Sequence, residues 1–109
     1  MSWLVRDGEV LSSLEVADTM STRMAGLLGR DGIDGALLIK PARSVHTLGM
    51  RFPIDVAFCD RQLQVLATVC MVRNRMSLPR LRARCVIEAE AGAFERWGLQ
   101  VGDRLEITG

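Results

Sequence analysis

The side chains best suited to chemistry fall in two short stretches. One is His46-Thr47-Leu48-Gly49-Met50-Arg51-Phe52-Pro53-Ile54-Asp55, where the single histidine, a glycine, an arginine and an aspartate lead into an apolar run. An unperturbed imidazole titrates near neutrality, so His46 can serve as acid, base or donor to an anion. Asp55 is suited either to orient that imidazole or to accept backbone N–H groups. The other stretch is Arg23-Met24-Ala25-Gly26-Leu27-Leu28-Gly29-Arg30. Read as helix, it puts Arg23, Gly26 and Arg30 on one arc, beside an apolar stripe of Met20, Met24, Leu27 and Leu28. A helical glycine costs about 1 kcal/mol relative to alanine. Placed between two arginines, it points to close approach by a ligand or by a packed strand.

These stretches define the candidate ligand-binding residues Arg23, Gly26, Arg30, His46, Thr47, Met50 and Asp55. They imply a pocket between the 23–30 helix and the 46–55 loop that takes a small or peptidic anion, because a guanidinium fork matches a carboxylate or phosphate. Two alternatives stand beside it. One is a protein–protein interaction module with no small-molecule site; the other is an enzyme using His46 and Asp55 as an acid–base pair. No residue is assigned as catalytic.

Other chemistries lack their pattern. Cys59, Cys70 and Cys85 are odd in number, widely spaced and without a C-x-x-C, which fits neither a disulfide framework nor a zinc site. They read as reduced thiols that pack as small apolar groups. Gly26, Gly29, Gly32 and Gly35 imitate a phosphate loop but lack its Gly-Lys-[Ser/Thr] ending. No cofactor and no metal is expected. Fourteen basic residues against thirteen acidic ones leave a formal charge of +1, which gives no global attraction to nucleic acid or anionic membrane. Locally, Arg61, Arg73, Arg75, Arg80, Arg82 and Arg84 crowd a segment without acids, but no aromatic residue interleaves them for base stacking.

Length and patterning describe what must hold these residues. A chain of 109 residues with 49% apolar and 25% charged residues fits one globular domain and excludes a disordered tail. No apolar run approaches the ~20 residues of a membrane helix, and with no export signal visible the expected location is cytoplasmic. Asp7-Gly8 predicts a tight hairpin turn. A helix near 20–29 ends at Gly29, and a short strand spans Ala36–Ile39. Ile54–Cys59 alternates strictly and pairs through Asp60–Gln62 with Leu63–Val72, whose Leu63, Val65, Ala67, Val69 and Met71 share one face. A strand near Ala83–Ala89, a short helix near 92–97 closed by Gly98, and a last strand with Leu105 and Ile107 inward complete the plan. The expected class is α+β, a single small domain with a mainly antiparallel, barrel-like or strongly curved sheet.

Three blocks carry a resemblance: Arg23–Arg30, His46–Asp60 and Val86–Leu105. In this order they resemble the prokaryotic Domain of Unknown Function 192 family, over nearly the whole chain from about Leu14 to Ile107. The pattern is carried at Arg23, Gly26, Leu27, Gly29, Arg30, His46, Thr47, Met50, Pro53, Ile54, Asp55, Gly92, Gly102 and Asp103, while Leu28 stands where the family often has methionine. The resemblance implies a small β-rich fold and no assigned reaction, and none of the three cysteines belongs to the pattern.

Overall fold

Asp7 and Gly8 take φ values of 51° and 79°, the geometry of a two-residue turn whose twist suits a hairpin. In the computed structural model, which describes residues 2–109, this turn folds β1 (Ser2–Arg6) onto β2 (Glu9–Ala17). The chain then forms α1 (Met20–Ala25), β3 (Ala36–Ile39), β4 (Ile54–Cys59), β5 (Val65–Met71), β6 (Cys85–Glu90), α2 (Ala93–Trp97) and β7 (Glu106–Thr108). One sheet holds all seven strands in the order β5-β4-β6-β3-β2-β1-β7. Every pairing is antiparallel except β2 with β3, whose parallel register requires the crossover that α1 occupies.

The ladder is open in order but curls until its ends meet. The Val65 N–H donates to the Asp103 carbonyl at 2.8 Å, the Gly102 N–H to the Val65 carbonyl at 2.8 Å and the Leu105 N–H to the Leu63 carbonyl at 2.9 Å. A bulge between Phe58 and Cys59 assists the bend. It also corrects the expected alternation of β5. Phe58 pairs with Ala67 but Cys59 with Val65, so the extra residue Leu66 turns Val65 to the face opposite Ala67.

Each face of the sheet has its own core. On one, Leu38, Ala57, Ile87 and Ala89 pack with Phe94 and Leu99 from α2 and its exit. On the other, Leu37, Ile54, Val56, Phe58 and Val86 meet Leu27, Val45 and Met50 from the loops. Strands β4 and β6 are therefore covered on both sides, and all of β4 is buried. Cys59 and Cys85 are buried partners across these strands, whereas Cys70, expected as a packing group, is exposed. Ile107 is likewise half-exposed, and only Leu105 just before β7 is buried.

The early helix is shorter than its pattern implied. Thr19 caps it, accepting from the Thr22 N–H at 3.2 Å while the Thr22 hydroxyl accepts from the Thr19 N–H at 3.1 Å. It ends at Gly26, whose φ of 47° and ψ of −126° suit glycine. Gly26 is thus a stop and not a helical gap between arginines, and a Cβ there would meet nothing nearer than 3.9 Å. No residue of α1 is buried; Met20 and Met24 are each 72% exposed, and only Leu27, beyond the helix, enters the core.

Asp55 fixes α2 to the sheet. Its Oδ2 accepts from the Gly92 N–H at 3.0 Å and the Phe94 N–H at 3.1 Å, satisfying donors that a helix start leaves free. At the other end, Arg6 donates to the Trp97 carbonyl at 2.8 Å and the Gly98 carbonyl at 3.0 Å while pairing with Asp103. Replacing Asp55 with alanine strands one buried and one half-buried N–H group, so Asp55→Ala is expected to cost about 2–4 kcal/mol in urea denaturation. Asp55→Asn, which keeps one acceptor oxygen, should cost less.

Candidate functional site

The 41–53 segment has little regular structure, yet it is held firmly. Thr47 is fully buried: its hydroxyl donates to the Val72 carbonyl at 2.7 Å and accepts from the Arg75 N–H at 2.8 Å. The Thr47 N–H donates to the Arg75 carbonyl, and the Asn74 N–H donates to the Thr47 carbonyl. Val45 and Ser77 exchange two further bonds, and His46 forms an isolated antiparallel bridge with Met76. Thr47 is therefore a staple between two loops, and its buried hydroxyl is engaged by backbone as both donor and acceptor. The staple presents His46 outward and turns Val45 and Met50 inward.

Between this segment, α1 and the sheet lies a cavity of about 250 Å³. Arg23, Gly26, His46 and Met50 all line it, so the structure brings four of the seven expected residues together. Leu27, Ile39 and Val45 add apolar wall, and Arg43 adds a second guanidinium. Arg30 is elsewhere. It forms a two-pronged pair with Glu15 at 2.8 and 3.3 Å, which raises its own pKa and lowers that of Glu15, the hydrogen bond being the main cause. The chain has left the helix at Gly26, so the arc that would have joined Arg30 to Arg23 does not form. Asp55 is also elsewhere. It shares its face with Ala57 and Cys59 and is occupied by α2, so it cannot orient His46.

Of the lining residues that were not expected, one is a buried carboxylate. Glu88, in the middle of β6, is 3% exposed and reaches the cavity from the sheet. Its strand partners are Leu37 and Val56, and among the described residues it has no side-chain hydrogen bond or ion pair. The available signal was a carboxylate inside Cys85-Val86-Ile87-Glu88-Ala89, where apolar neighbours demand burial on both faces. Burial alone pushes its carboxyl up to about 7, because removal from water penalises the charged form.

This shift has a definite sign. Between the ordinary value of 4.5 and about 7, the folded protein holds a proton that the unfolded chain has released. Stability therefore falls as pH rises through that window, by about 3 kcal/mol in total. Glu88→Gln removes the titration. Its denaturation free energy should exceed that of the parent increasingly from pH 5 to 8, and parallel curves would contradict the assignment.

Comparison with known proteins gives the chain its place. Residues 3–107 match the DUF192 family, described as an uncharacterized ACR. A UPF0127 protein of Pyrococcus furiosus is 30% identical over 90% of this chain and 89% of its own length. One from Pyrococcus horikoshii is 29% identical over 97% and 90%. Among solved structures, a protein of unknown function from Novosphingobium aromaticivorans superposes with a TM-score of 0.78 at 18% identity, covering 96% of this chain and 82% of that one. A Sinorhizobium meliloti protein, described provisionally as a transcription regulator, gives 0.80 at 21% identity, covering 96% and 90%. At such identities the two structures speak for the fold alone. No helix among the described residues is long and apolar enough to cross a membrane. With the family match spanning almost every residue and the fold shared, the chain belongs to the DUF192 family.

Proposed function

We propose that the cavity beneath α1 binds a small anionic molecule, with Arg23 as its main anchor and His46 as a second donor. The observation that carries this reading is the state of Arg23. Arg6, Arg30, Arg51 and Arg96 each pair with a carboxylate, whereas Arg23, like Arg43 beside it, lines the cavity with no ion pair or side-chain hydrogen bond among the described residues. Half-buried at the cavity, it keeps its guanidinium free for a planar anion. Met24 and Leu28 at the rim are largely exposed, and such flexible apolar groups adapt to a ligand's surface.

A second reading has its own support. Met76, Leu78 and Leu81 are 73–83% exposed on the arginine-rich segment, next to a separate hollow lined by Phe58, Val69 and Met71. An exposed apolar group of this kind suits a protein partner. The acid–base pairing of His46 with Asp55 loses its basis, because the Asp55 carboxylate is bound to α2 on the other face.

The two surviving readings part on ligand-induced stability. A bound anion raises the unfolding free energy by RT ln(1 + [L]/Kd), about 2.7 kcal/mol at a hundredfold excess over Kd. A panel of small carboxylates and phosphates should therefore contain members that raise the melting temperature of the parent protein. Arg23→Ala should abolish the rise while its ligand-free melting temperature changes little, since Arg23 makes no internal bond. A panel that shifts neither protein would favour the interaction surface.

A further inference from the structure

Glu88 sets a condition on what the cavity can hold. A carboxylate in the middle of a doubly covered strand is retained at a substantial desolvation cost, and such a group normally has a hydrogen-bonding partner. Asp55, on the neighbouring strand, has two. Glu88 has none among the described residues, yet no fully enclosed side-chain oxygen lacks a partner, so its oxygens open onto the cavity. The groups beside it in the sheet, Leu37 and Val56, offer nothing polar. The other charged or titratable side chains around the cavity are Arg23 from α1, and Arg43 and His46 from the following segment. None of them forms an ion pair with Glu88.

A simple anion fits these surroundings poorly. It would gain from the arginines but leave Glu88 without a partner, and would be repelled wherever Glu88 is ionised, whereas a bound ammonium would favour the charged carboxylate. A molecule with an anionic end and an amine end meets both demands. We infer that the cavity is built for a small zwitterion, an amino acid or short peptide whose carboxylate lies on Arg23 and whose ammonium lies on Glu88. This rests on the cavity's reading as an anion site and adds the group that reading leaves unused. The volume of about 250 Å³ lies just below the range of drug-sized pockets, which suits a molecule of this size. Leu27, Ile39, Val45 and Met50 provide an apolar wall for its side chain.

The test compares amino acids with the same skeletons lacking the amine. Alanine with propionate, valine with isovalerate, leucine with isocaproate and glutamate with glutarate are titrated calorimetrically into the parent protein, Arg23→Ala and Glu88→Gln. The expected result is that at least one amino acid binds about tenfold more tightly than its deaminated partner. Glu88→Gln should erase that ratio by weakening only the amino acid, and Arg23→Ala should weaken both members. If the deaminated acids bind as well as the amino acids and Arg23→Ala weakens them, the anion site stands and the zwitterion is ruled out. If no member of any pair binds, both readings fall. The comparison within the parent protein decides the matter even if Glu88→Gln does not fold.

Discussion

Strands β4 and β6 are covered on both faces, so a charge on either one must find its partner inside the protein. Its two buried carboxylates stand differently to this constraint: Asp55 is partnered and Glu88 is not. Asp55 points to the α2 side and accepts from two backbone N–H groups, which anchors the helix that closes that core. Glu88 points to the other side, where no helix is docked as closely and a cavity takes the place of packed side chains. The sheet thus has a finished face and an open one, distinguished by the fate of two carboxylates.

The open face is made by elements that stay near the surface. α1 spans the crossover between the parallel strands β2 and β3 but buries none of its residues. It covers the sheet only through Leu27, which enters the core once Gly26 has turned the chain. The 41–53 segment is fastened at its flank by the hydrogen bonds of Thr47 and of Val45 with Ser77. A helix that does not pack and a loop fastened at its flank leave space between them. That space contains Arg23 and His46 because each belongs to one of those two elements.

The strands were legible because alternation is a local property. Ile54–Cys59 and the runs around it state which residues share a face before any partner is known. The bulge that reverses Val65 was not legible, since it depends on how tightly the sheet must bend. The helix misled for a related reason: Met20, Met24, Leu27 and Leu28 have helical spacing, but spacing cannot say whether a face has anything to pack against. Arg23 and His46, which line one cavity, could be joined from the sequence because the polar residues of the pattern cluster in those two stretches. Thr47 and Asp55 were grouped with them by proximity in the chain, and only three-dimensional contacts show that their polar atoms are already occupied by backbone. Glu88 was missed because strand patterning treats a charged residue as outward-facing, whereas a central strand of a sheet covered on both sides has no outward face.

The strand order has a consequence for how the chain reaches this structure. The β1–β2 and β4–β5 hairpins join neighbours in sequence and can close early. β2 and β3 are also consecutive but are joined through the α1 crossover, and the other pairings are more distant: β3 meets β6 across the whole of β4 and β5, and Trp3 meets Thr108 from opposite ends of the chain. Each such pairing requires a long loop to be closed before any contact compensates for the lost freedom. Folding on the millisecond-to-second scale, typical of sheets with distant partners, follows from this topology. The cavity is among the last features to form, because its floor, β6, is fixed only when β3 and β4 have both found it.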